Sequence, residues 1–305
     1  MNKAVRSTVG LAVAVPAFFA FAGVAGTASA ADYADYKGTV VETYDDQLYV
    51  TAADYRKNDI TVKQVRKGYY DYFRVTDKGD KLIDKSDECY WEDKNYKALL
   101  CPVYKPIVKA GDKDDQVVYD NSADKSYYPT PVWIYGGDGN DKLEVTEYSA
   151  GQGWIFGADG DDKYHSAYDN DIIRGGKGDD YLYGEEGNDK IWGRGGDDLI
   201  DGGKGNDGLW GEAPPQSYDD KKPWGGDYIV GGYGNDTAFG GKGDDKLVDR
   251  YGYDKLYGEA GNDKLDVYDY YGGDSADGGK GYDGCATDKG DFRFTCEYVW
   301  KYVAS

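Results

Sequence analysis

The chain has 305 residues, 45 of them glycine, and a formal net charge of −21 at pH 7. A chain this acidic is repelled by nucleic acid and by anionic membranes, so neither is expected as a partner. Hydrophobic residues make up 40 %, but they include 32 tyrosines and one methionine. This composition argues against a thick layered core and fits a thin solenoid core with one aliphatic side chain per turn.

Residues 1–30 have the pattern of a secretory signal peptide. Lys3 and Arg6 precede an apolar run over residues 9–24, and Ala28-Ser29-Ala30 forms an A-x-A cleavage site. The alternative is a membrane anchor, but a spanning helix usually needs about 20 apolar residues. The sequence therefore predicts a secreted protein that begins at Ala31 and has no membrane span after cleavage.

Residues 31–108 are predicted to form a small antiparallel β domain. Strand-like runs at 38–43, 47–51, 60–65 and 70–76 alternate with turns rich in Asp, Asn, Gly and Lys. The tyrosines of this segment are either half-buried strand residues or members of a sugar-binding face.

The chain contains four cysteines, Cys89, Cys101, Cys285 and Cys296, which allow three disulfide pairings. We favour Cys89–Cys101 and Cys285–Cys296, because each pair is close in sequence and the two pairs are far apart. A zinc site fits poorly, since the spacings are not C-x₂-C and the lone histidine, His165, is distant in sequence.

Residues 109–286 are dominated by a nonapeptide repeat, which is most regular at 157–210 and 231–266. The blocks from 175 to 210 are GGKGDDYLY, GEEGNDKIW, GRGGDDLID and GGKGNDGLW. Each has glycine at positions one and four, aspartate at position six and an aliphatic residue at position eight. We expect the first six residues to form a turn and the last three a short strand whose middle side chain points inward.

Two blocks would make one coil of about 18 residues, so equivalent turns stack on alternate sides of a flattened roll. Asp180 and Asp198 then lie on one side, and Asp189 and Asp207 on the other. Such turns offer carboxylate and carbonyl oxygens, and Ca²⁺ takes about six to eight oxygen ligands. The sequence predicts several Ca²⁺ ions between stacked turns.

The predicted ligands are of two kinds. The carboxylate ligands are Asp141, Asp162, Asp180, Asp189, Asp198, Asp207, Asp227, Asp236, Asp245, Asp254, Asp263 and Asp283. The backbone carbonyl ligands are Gly175, Gly178, Gly184, Gly187, Gly193, Gly196, Gly202 and Gly205.

The repeat is uneven outside its regular parts. Block 148–156 has Gly153 in place of aspartate, and block 166–174 keeps Asp171 but has lost its glycines, so its turn should bind weakly or not at all. Residues 214–224 interrupt one block, as either a surface loop or a partner-binding loop. A slip near residue 270 makes Asp274 a doubtful ligand.

Residues 287–305 are predicted to cap the roll. The inward position of the final block is Cys285, so its bridge to Cys296 would seal the open end, which otherwise exposes unpaired strand edges.

The other motifs that we considered are either absent or lack the structural context that their function requires. No catalytic residue is predicted. Two G-x-G-x-x-G matches, at 203–208 and 279–284, recur with the repeat instead of joining a strand to a helix. EF-hand loops, G-x-S-x-G and H-E-x-x-H are absent. The repeat explains nearly all acidic pairs, which leaves none for a glycosidase. We therefore expect that the protein is not an enzyme.

The repeat resembles the RTX, or haemolysin-type, calcium-binding repeat over residues 136–286. The resemblance implies a parallel β-roll with stacked calcium ions. The layout is also similar to small exported calcium-binding proteins of Gram-positive bacteria, in which a Cys…Cys-Pro segment (Cys89 and Cys101-Pro102) precedes a Gly-Asp-rich start (Gly111-Asp-Lys-Asp-Asp). RTX toxins and proteases differ from the layout expected here, which has a cleavable N-terminal signal and no large catalytic or pore-forming region, so their activities are not carried over.

The sequence thus predicts an all-β protein whose partner is Ca²⁺ and whose folding is coupled to calcium. The alternative is an extracellular adhesive or carbohydrate-binding protein, with a cell-wall or polysaccharide partner, in which calcium is only structural.

Overall fold

Consecutive strands of the repeat region alternate between two parallel sheets. The computed structural model describes residues 38–102, 105–121, 130–146, 151–212 and 225–300, and these ranges contain strands and turns but no helix. No segment within them is therefore a helix long and apolar enough to cross a membrane. The predicted signal peptide and the insertion at 214–224 lie outside the described residues.

The strands are short. In chain order they are β1 (Thr39–Tyr44), β2 (Gln47–Thr51), β3 (Asp59–Lys67), β4 (Tyr70–Asp77), β5 (Leu82–Asp84), β6 (Tyr90–Trp91), β7 (Leu99–Pro102), β8 (Lys105–Lys109), β9 (Gln116–Asp120), β10 (Val132–Tyr135), β11 (Lys142–Val145), β12 (Gly153–Phe156), β13 (Lys163–His165), β14 (Ile172–Lys177), β15 (Tyr181–Tyr183), β16 (Lys190–Gly195), β17 (Leu199–Lys204), β18 (Gly208–Glu212), β19 (Tyr228–Tyr233), β20 (Thr237–Lys242), β21 (Lys246–Val248), β22 (Lys255–Ala260), β23 (Lys264–Asp266), β24 (Ser275–Asp277), β25 (Gly284–Ala286), β26 (Phe292–Phe294) and β27 (Tyr298–Val299).

The pairing of these strands confirms the predicted parallel roll. One sheet has the order β26-β24-β22-β20-β18-β16-β14-β12-β10-β8-β2-β1-β5, and the other has the order β27-β25-β23-β21-β19-β17-β15-β13-β11-β9-β3-β4-β7-β6. Within the repeats, Leu182 of β15 lies beside Ile200 of β17, and Ile173 of β14 beside Ile191 of β16, all in parallel pairs. Two nonapeptides therefore make one coil.

Several strands are longer than the three residues that the repeat predicts. β14 continues through the first three positions of the next block, where Gly176 pairs with Arg194 of β16. The stacked turns thus share part of the sheet hydrogen bonding, which ties each turn directly to the next coil.

The N-terminal segment begins with antiparallel pairs, as predicted. β1 pairs with β2 and β3 with β4 as hairpins, while β4 and β6 flank β7. β2 then pairs in parallel with β8, and β3 with β9. Both sheets therefore continue from the hairpins into the roll, and the domain boundaries given above stay predictions.

The core of the roll is one side chain deep on each sheet. The eighth-position residues Leu182, Ile191, Ile200 and Leu209 are fully buried, as the repeat predicts. Such a core buries few residues per coil, so packing alone contributes little per turn. Near the N-terminus the core gains larger side chains, among them Phe73 and Tyr119, whose ring centroids are 5.9 Å apart.

Both predicted disulfide pairings are present. Cys89 is bonded to Cys101 of β7, and Cys285 of β25 to Cys296. β26 and β27 follow Cys285 and extend the two sheets by one further pair each. The second bridge therefore fastens the last coil to the end of the roll.

Aromatic residues at the ninth position form a ladder on the outer face of one sheet. Trp192 stacks on Trp210, Trp210 on Phe239, and Phe239 on Tyr257, with centroid distances of 4.8, 5.9 and 4.8 Å. Each ring covers the face of the next, so the ladder stabilises coil stacking and leaves mainly ring edges toward solvent.

Candidate metal centre

The sixth-position aspartates form a hydrogen-bonded ladder along one edge of the roll. The backbone amide of each residue donates to the carboxylate of its equivalent in the next coil. The pairs are Asn58 to Asp115, Asp115 to Asp141, Asp141 to Asp162, Asp162 to Asp180, Asp180 to Asp198, Asp198 to Asp227, Asp227 to Asp245, Asp245 to Asp263, Asp263 to Asp283, and Asp283 to Glu297, at 2.6–2.9 Å.

A second ladder follows the opposite edge. Its pairs are Gly153 to Asp171, Asp171 to Asp189, Asp189 to Asp207, Asp207 to Asp236, Asp236 to Asp254, and Asp254 to Asp274, at 2.6–3.0 Å. Asp180 and Asp198 therefore lie on one edge and Asp189 and Asp207 on the other, as the period predicts. Asp274 holds its place in the ladder despite the slip near residue 270.

These hydrogen bonds engage Oδ1 of each aspartate and do not involve Oδ2. In most of the ladder aspartates Oδ2 is buried and has no hydrogen-bond partner among the described residues. This applies to Asp115, Asp141, Asp180, Asp189, Asp198, Asp207, Asp227, Asp236, Asp245, Asp263 and Asp283. A buried carboxylate oxygen without a donor is costly, so each of these atoms requires a cation or a proton.

First-position glycines make room for that oxygen. A Cβ atom on Gly175 would collide with Oδ2 of Asp180 and lie 2.7 Å from the carbonyl oxygen of Gly193 in the next coil. A carboxylate oxygen and a carbonyl oxygen thus converge beside Gly175, and we call this space the cradle. The same arrangement recurs at Gly184, which faces Asp189 and the carbonyl of Gly202.

The fourth-position glycines are needed for a different reason, which is their backbone conformation. Gly178 and Gly196 have φ values of 118° and 128°, which side chains other than glycine rarely tolerate. The carbonyl oxygen of Gly178 faces Gly196 of the next coil and does not face the cradle beside a first-position glycine. The predicted carbonyl ligands therefore fall into two groups. Carbonyls of the first group lie beside an aspartate Oδ2 and belong to Gly175, Gly193 and Gly202. Carbonyls of the second group face the fourth-position residue of the next coil and belong to Gly178, Gly187, Gly196 and Gly205.

The electrostatics of the edge favour cation binding. Burial, reinforced by neighbouring carboxylates, raises the pKa of Asp180 and of Asp189 to about 8 and that of Asp198 to about 9. Without a cation these groups resist ionisation at neutral pH. A bound divalent ion would reverse the preference by neutralising adjacent carboxylates.

The donor set fits calcium. It consists of carboxylate and carbonyl oxygens from two stacked turns, without nitrogen or sulfur, and such hard oxygen ligands suit Ca²⁺ and not Zn²⁺. The residues that would hold the ion are the aspartates of adjacent coils, with backbone carbonyls beside them. Bound calcium supplies positive charge that neutralises the carboxylates; no reaction step follows from it.

Comparison with known families decides the type of repeat. The model of the RTX calcium-binding nonapeptide repeat (4 copies) matches residues 132–145, 156–191, 165–199, 174–209, 224–248 and 243–267. These coils are RTX calcium-binding repeats. No curated protein matches the chain. The protein therefore binds Ca²⁺ through a β-roll, as the sequence predicts, and the assignment of individual ligands stays a prediction.

Two RTX turns differ from the regular ones because a side-chain hydroxyl group donates a hydrogen bond to the aspartate Oδ2. Oδ2 of Asp162 accepts a hydrogen bond from the hydroxyl of Tyr164 at 2.7 Å, and Oδ2 of Asp171 accepts one from Ser166. In block 166–174, which contains Asp171, the fourth position is Asp169 instead of glycine, and its φ is 81°. These contacts agree with weak binding at Asp171 and place Asp162, a predicted ligand, in a modified turn.

Some residues of the two ladders were not predicted from the sequence. Asn58 begins the first ladder, Glu297 ends it, and Asp291 accepts from the amide of Gly273 at 3.1 Å. None of them belongs to a regular nonapeptide, so the period carries no signal for them. Asp249 is a further addition, because it stands at a first position where glycine is the rule.

Fifth-position residues form an outer, exposed ladder in the RTX turns. The amide of Asp197 donates to Oδ1 of Asp179 at 2.8 Å, and the amide of Asn206 to Oδ1 of Asn188 at 2.7 Å. The direction is opposite to that of the sixth-position ladder. The recurrence of Asp or Asn at this position is the sequence signal that predicts it.

Proposed function

We propose that this protein is a secreted, non-enzymatic calcium-binding β-roll whose folding is coupled to calcium. The ions are held between stacked turns and act as structural ligands of the roll. Their supply controls whether the chain is folded.

A single observation carries the proposal. Buried Oδ2 atoms repeat from coil to coil without a hydrogen-bond donor among the described residues, and in the regular coils a carbonyl oxygen of the next turn faces the same cradle. Rows of buried carboxylates repel one another when ionised. The thin core cannot offset many such charges, so the roll needs cations at neutral pH.

Secretion is supported by two observations. The N-terminal 30 residues have the pattern of a signal peptide, and both disulfides fit an oxidising compartment. Extracellular calcium modules bind at about 10⁻⁴–10⁻³ M. Sites of that strength fill outside a cell and stay empty at cytosolic calcium levels, so the chain would fold after export.

The test is far-ultraviolet circular dichroism of the mature chain, with its disulfides intact, in a calcium chelator and then with added calcium. We expect a spectrum dominated by disordered chain in the chelator and a cooperative gain of β structure on calcium addition. Magnesium at the same concentration is the control for ionic strength. A strand spectrum that is unchanged by calcium removal would overturn the proposal.

A second candidate is an adhesive or carbohydrate-binding protein, and exposed tyrosines near the N-terminus favour it. Tyr69 and Tyr70 at the β3–β4 turn are 99 % and 69 % exposed, so their rings are available to stack on a sugar. Because the sheets run from this segment into the roll, the full chain should be used. A glycan array that compares it with the Tyr69→Ser/Tyr70→Ser variant separates the two functions, and loss of a glycan signal in the variant would support the second.

A further inference from the structure

One coil of the roll contains an acidic residue that the nonapeptide does not require. Asp249 stands at the first position of its block, where regular blocks have glycine. Its side chain is turned inward, since the residue is only 1 % exposed. Both of its carboxylate oxygens are buried and have no hydrogen-bond partner among the described residues.

The carboxylate of Asp249 enters the cradle of the neighbouring coil. A Cβ atom on Gly231 would collide with Oδ2 of Asp249 and lie 2.9 Å from Oδ2 of Asp236. In the regular coils the corresponding space is faced by a backbone carbonyl, as Gly193 does at Gly175. At Gly231 the charged oxygen of Asp249 stands where those coils have a neutral carbonyl oxygen.

Three carboxylates therefore meet at one point. Asp236, Asp249 and Asp254 are all buried, and one oxygen from each lies within 4.8 Å of the others. Within the described part of the chain none of the three forms an ion pair, and the neighbouring Arg250 contacts Asp266 instead at 2.5 Å. Buried carboxylates at this separation cannot all ionise unless a cation lies among them.

We propose that Asp249 makes the Asp236–Asp254 turn a distinct, three-carboxylate calcium site with the highest affinity in the roll. This inference rests on the proposed function, because it assumes that the stacked turns bind calcium. Affinity in oxygen-ligand calcium sites is tuned by the number of charged ligands. Calcium fills this site first and orders the surrounding coils before the remaining sites fill.

Calorimetric titration of the full mature chain with calcium chloride tests the assignment. We expect one site whose Kd is roughly tenfold lower than the others. Asp249→Asn removes the charge at nearly constant volume, and Asp249→Gly restores the residue that regular blocks have. Both variants should lose the tight phase and keep the weaker ones. Asp87→Asn, an exposed acid in the N-terminal segment, changes the net charge equally and should match the wild type.

The outcomes separate this inference from the proposed function. A tight phase that persists in both Asp249 variants overturns the role of Asp249 while leaving calcium binding by the roll intact. Tighter binding in Asp249→Gly than in the wild type also overturns it, since the carboxylate would then obstruct the ion. A wild-type chain that binds no calcium overturns both. Circular dichroism at saturating calcium verifies that the variants have folded.

Discussion

The backbone amide of Asp180 donates a hydrogen bond to Oδ1 of Asp198, 2.9 Å away in the next coil. The other oxygen of Asp198, Oδ2, is buried without a hydrogen-bond partner among the described residues. One carboxylate thus serves two purposes: Oδ1 fastens a coil to its neighbour, and Oδ2 is available to a cation. Substitutions that keep one oxygen and alter the other separate these purposes.

Asp198→Asn should weaken the two sites that Asp198 shares with Asp180 and Asp227. Asparagine keeps an oxygen for the Asp180 amide but loses the negative charge, so the number of bound calcium ions should fall by two. At free calcium 100 times the Kd, each lost ion removes about 2.7 kcal/mol of stability. Calorimetric ion counting and urea unfolding in calcium measure both effects.

Asp198→Ala is the matched comparison. It removes the same charge and also leaves the Asp180 amide without its acceptor, and a buried unpaired group costs about 1–3 kcal/mol. The alanine variant should therefore be less stable than the asparagine variant in saturating calcium, even where the two bind the same number of ions. An asparagine variant with unchanged ion count and affinity would show that Asp198 is not a ligand.

The period of nine was enough to predict the edges of the roll, even across an interruption. Asp198 and Asp227 are 29 residues apart, yet they form the same hydrogen bond as pairs 18 residues apart. Each coil must satisfy its main-chain groups on the coil before it, so the register is the same on both sides of the interruption. This is why the period predicted the inward residues and the edge on which each aspartate lies, while the parallel pairing was implied by the resemblance to RTX repeats.

Features that depend on side-chain reach were not predictable from the period. The eighth position of block 157–165 is Tyr164, which fills a core position, but its hydroxyl also extends to Asp162. Glu297 completes the first ladder from outside the repeats. The reason for the first-position glycines was not predictable either, because only the structure shows that a Cβ atom on Gly175 would collide with Oδ2 of Asp180.

Ser166→Gly should convert a silent turn into a calcium site. In the wild type the Ser166 hydroxyl donates to Oδ2 of Asp171, so that oxygen is already satisfied. Glycine removes the hydroxyl and restores the residue that regular blocks have at this position. We expect one additional weak calcium ion, counted by calorimetry or equilibrium dialysis.

The matched control for this variant is Asp171→Ala. In the wild-type background it should leave the calcium count unchanged, and in the Ser166→Gly background it should abolish the added ion. A wild-type chain that loses an ion with Asp171→Ala would contradict the interpretation that the hydroxyl replaces calcium in this turn.

Gly175→Ala should abolish binding at its own turn without a change of charge. The added methyl group would occupy the space of Asp180 Oδ2 and crowd the Gly193 carbonyl. Gly68→Ala is the control, because Gly68 has a positive φ of 66° but no atom near its Cβ position. Its cost should be about 1–2 kcal/mol of backbone strain, with all calcium sites retained. Equal ion counts in the two variants would show that the space beside Gly175 is not needed for calcium binding.

The metal-free chain should fold in acid and unfold as the pH rises. The pKa of Asp180 rises to about 8 and that of Asp198 to about 9, mainly because the groups are buried. Asp227, Asp180 and the nearby Glu212 raise the pKa of Asp198 further. A carboxyl group with a raised folded pKa stabilises the fold fully below its unfolded value of about 3.9, and this contribution is lost as the pH passes through the folded value.

Protons should therefore substitute for calcium from about pH 4 upward, with the effect lost by about pH 8 for Asp180 and about pH 9 for Asp198. In chelator, circular dichroism should show more β structure at pH 5 than at pH 8, whereas in saturating calcium the fold should persist at pH 8, because the ion binds ionised carboxylates. The chain has an isoelectric point near 4.4, so dilute samples and light scattering are needed to distinguish folding from aggregation. Asp198→Asn should flatten the acid dependence in part, since it removes one titrating group. A metal-free chain with equal β content at both pH values would contradict the view that unneutralised carboxylates hold the roll open.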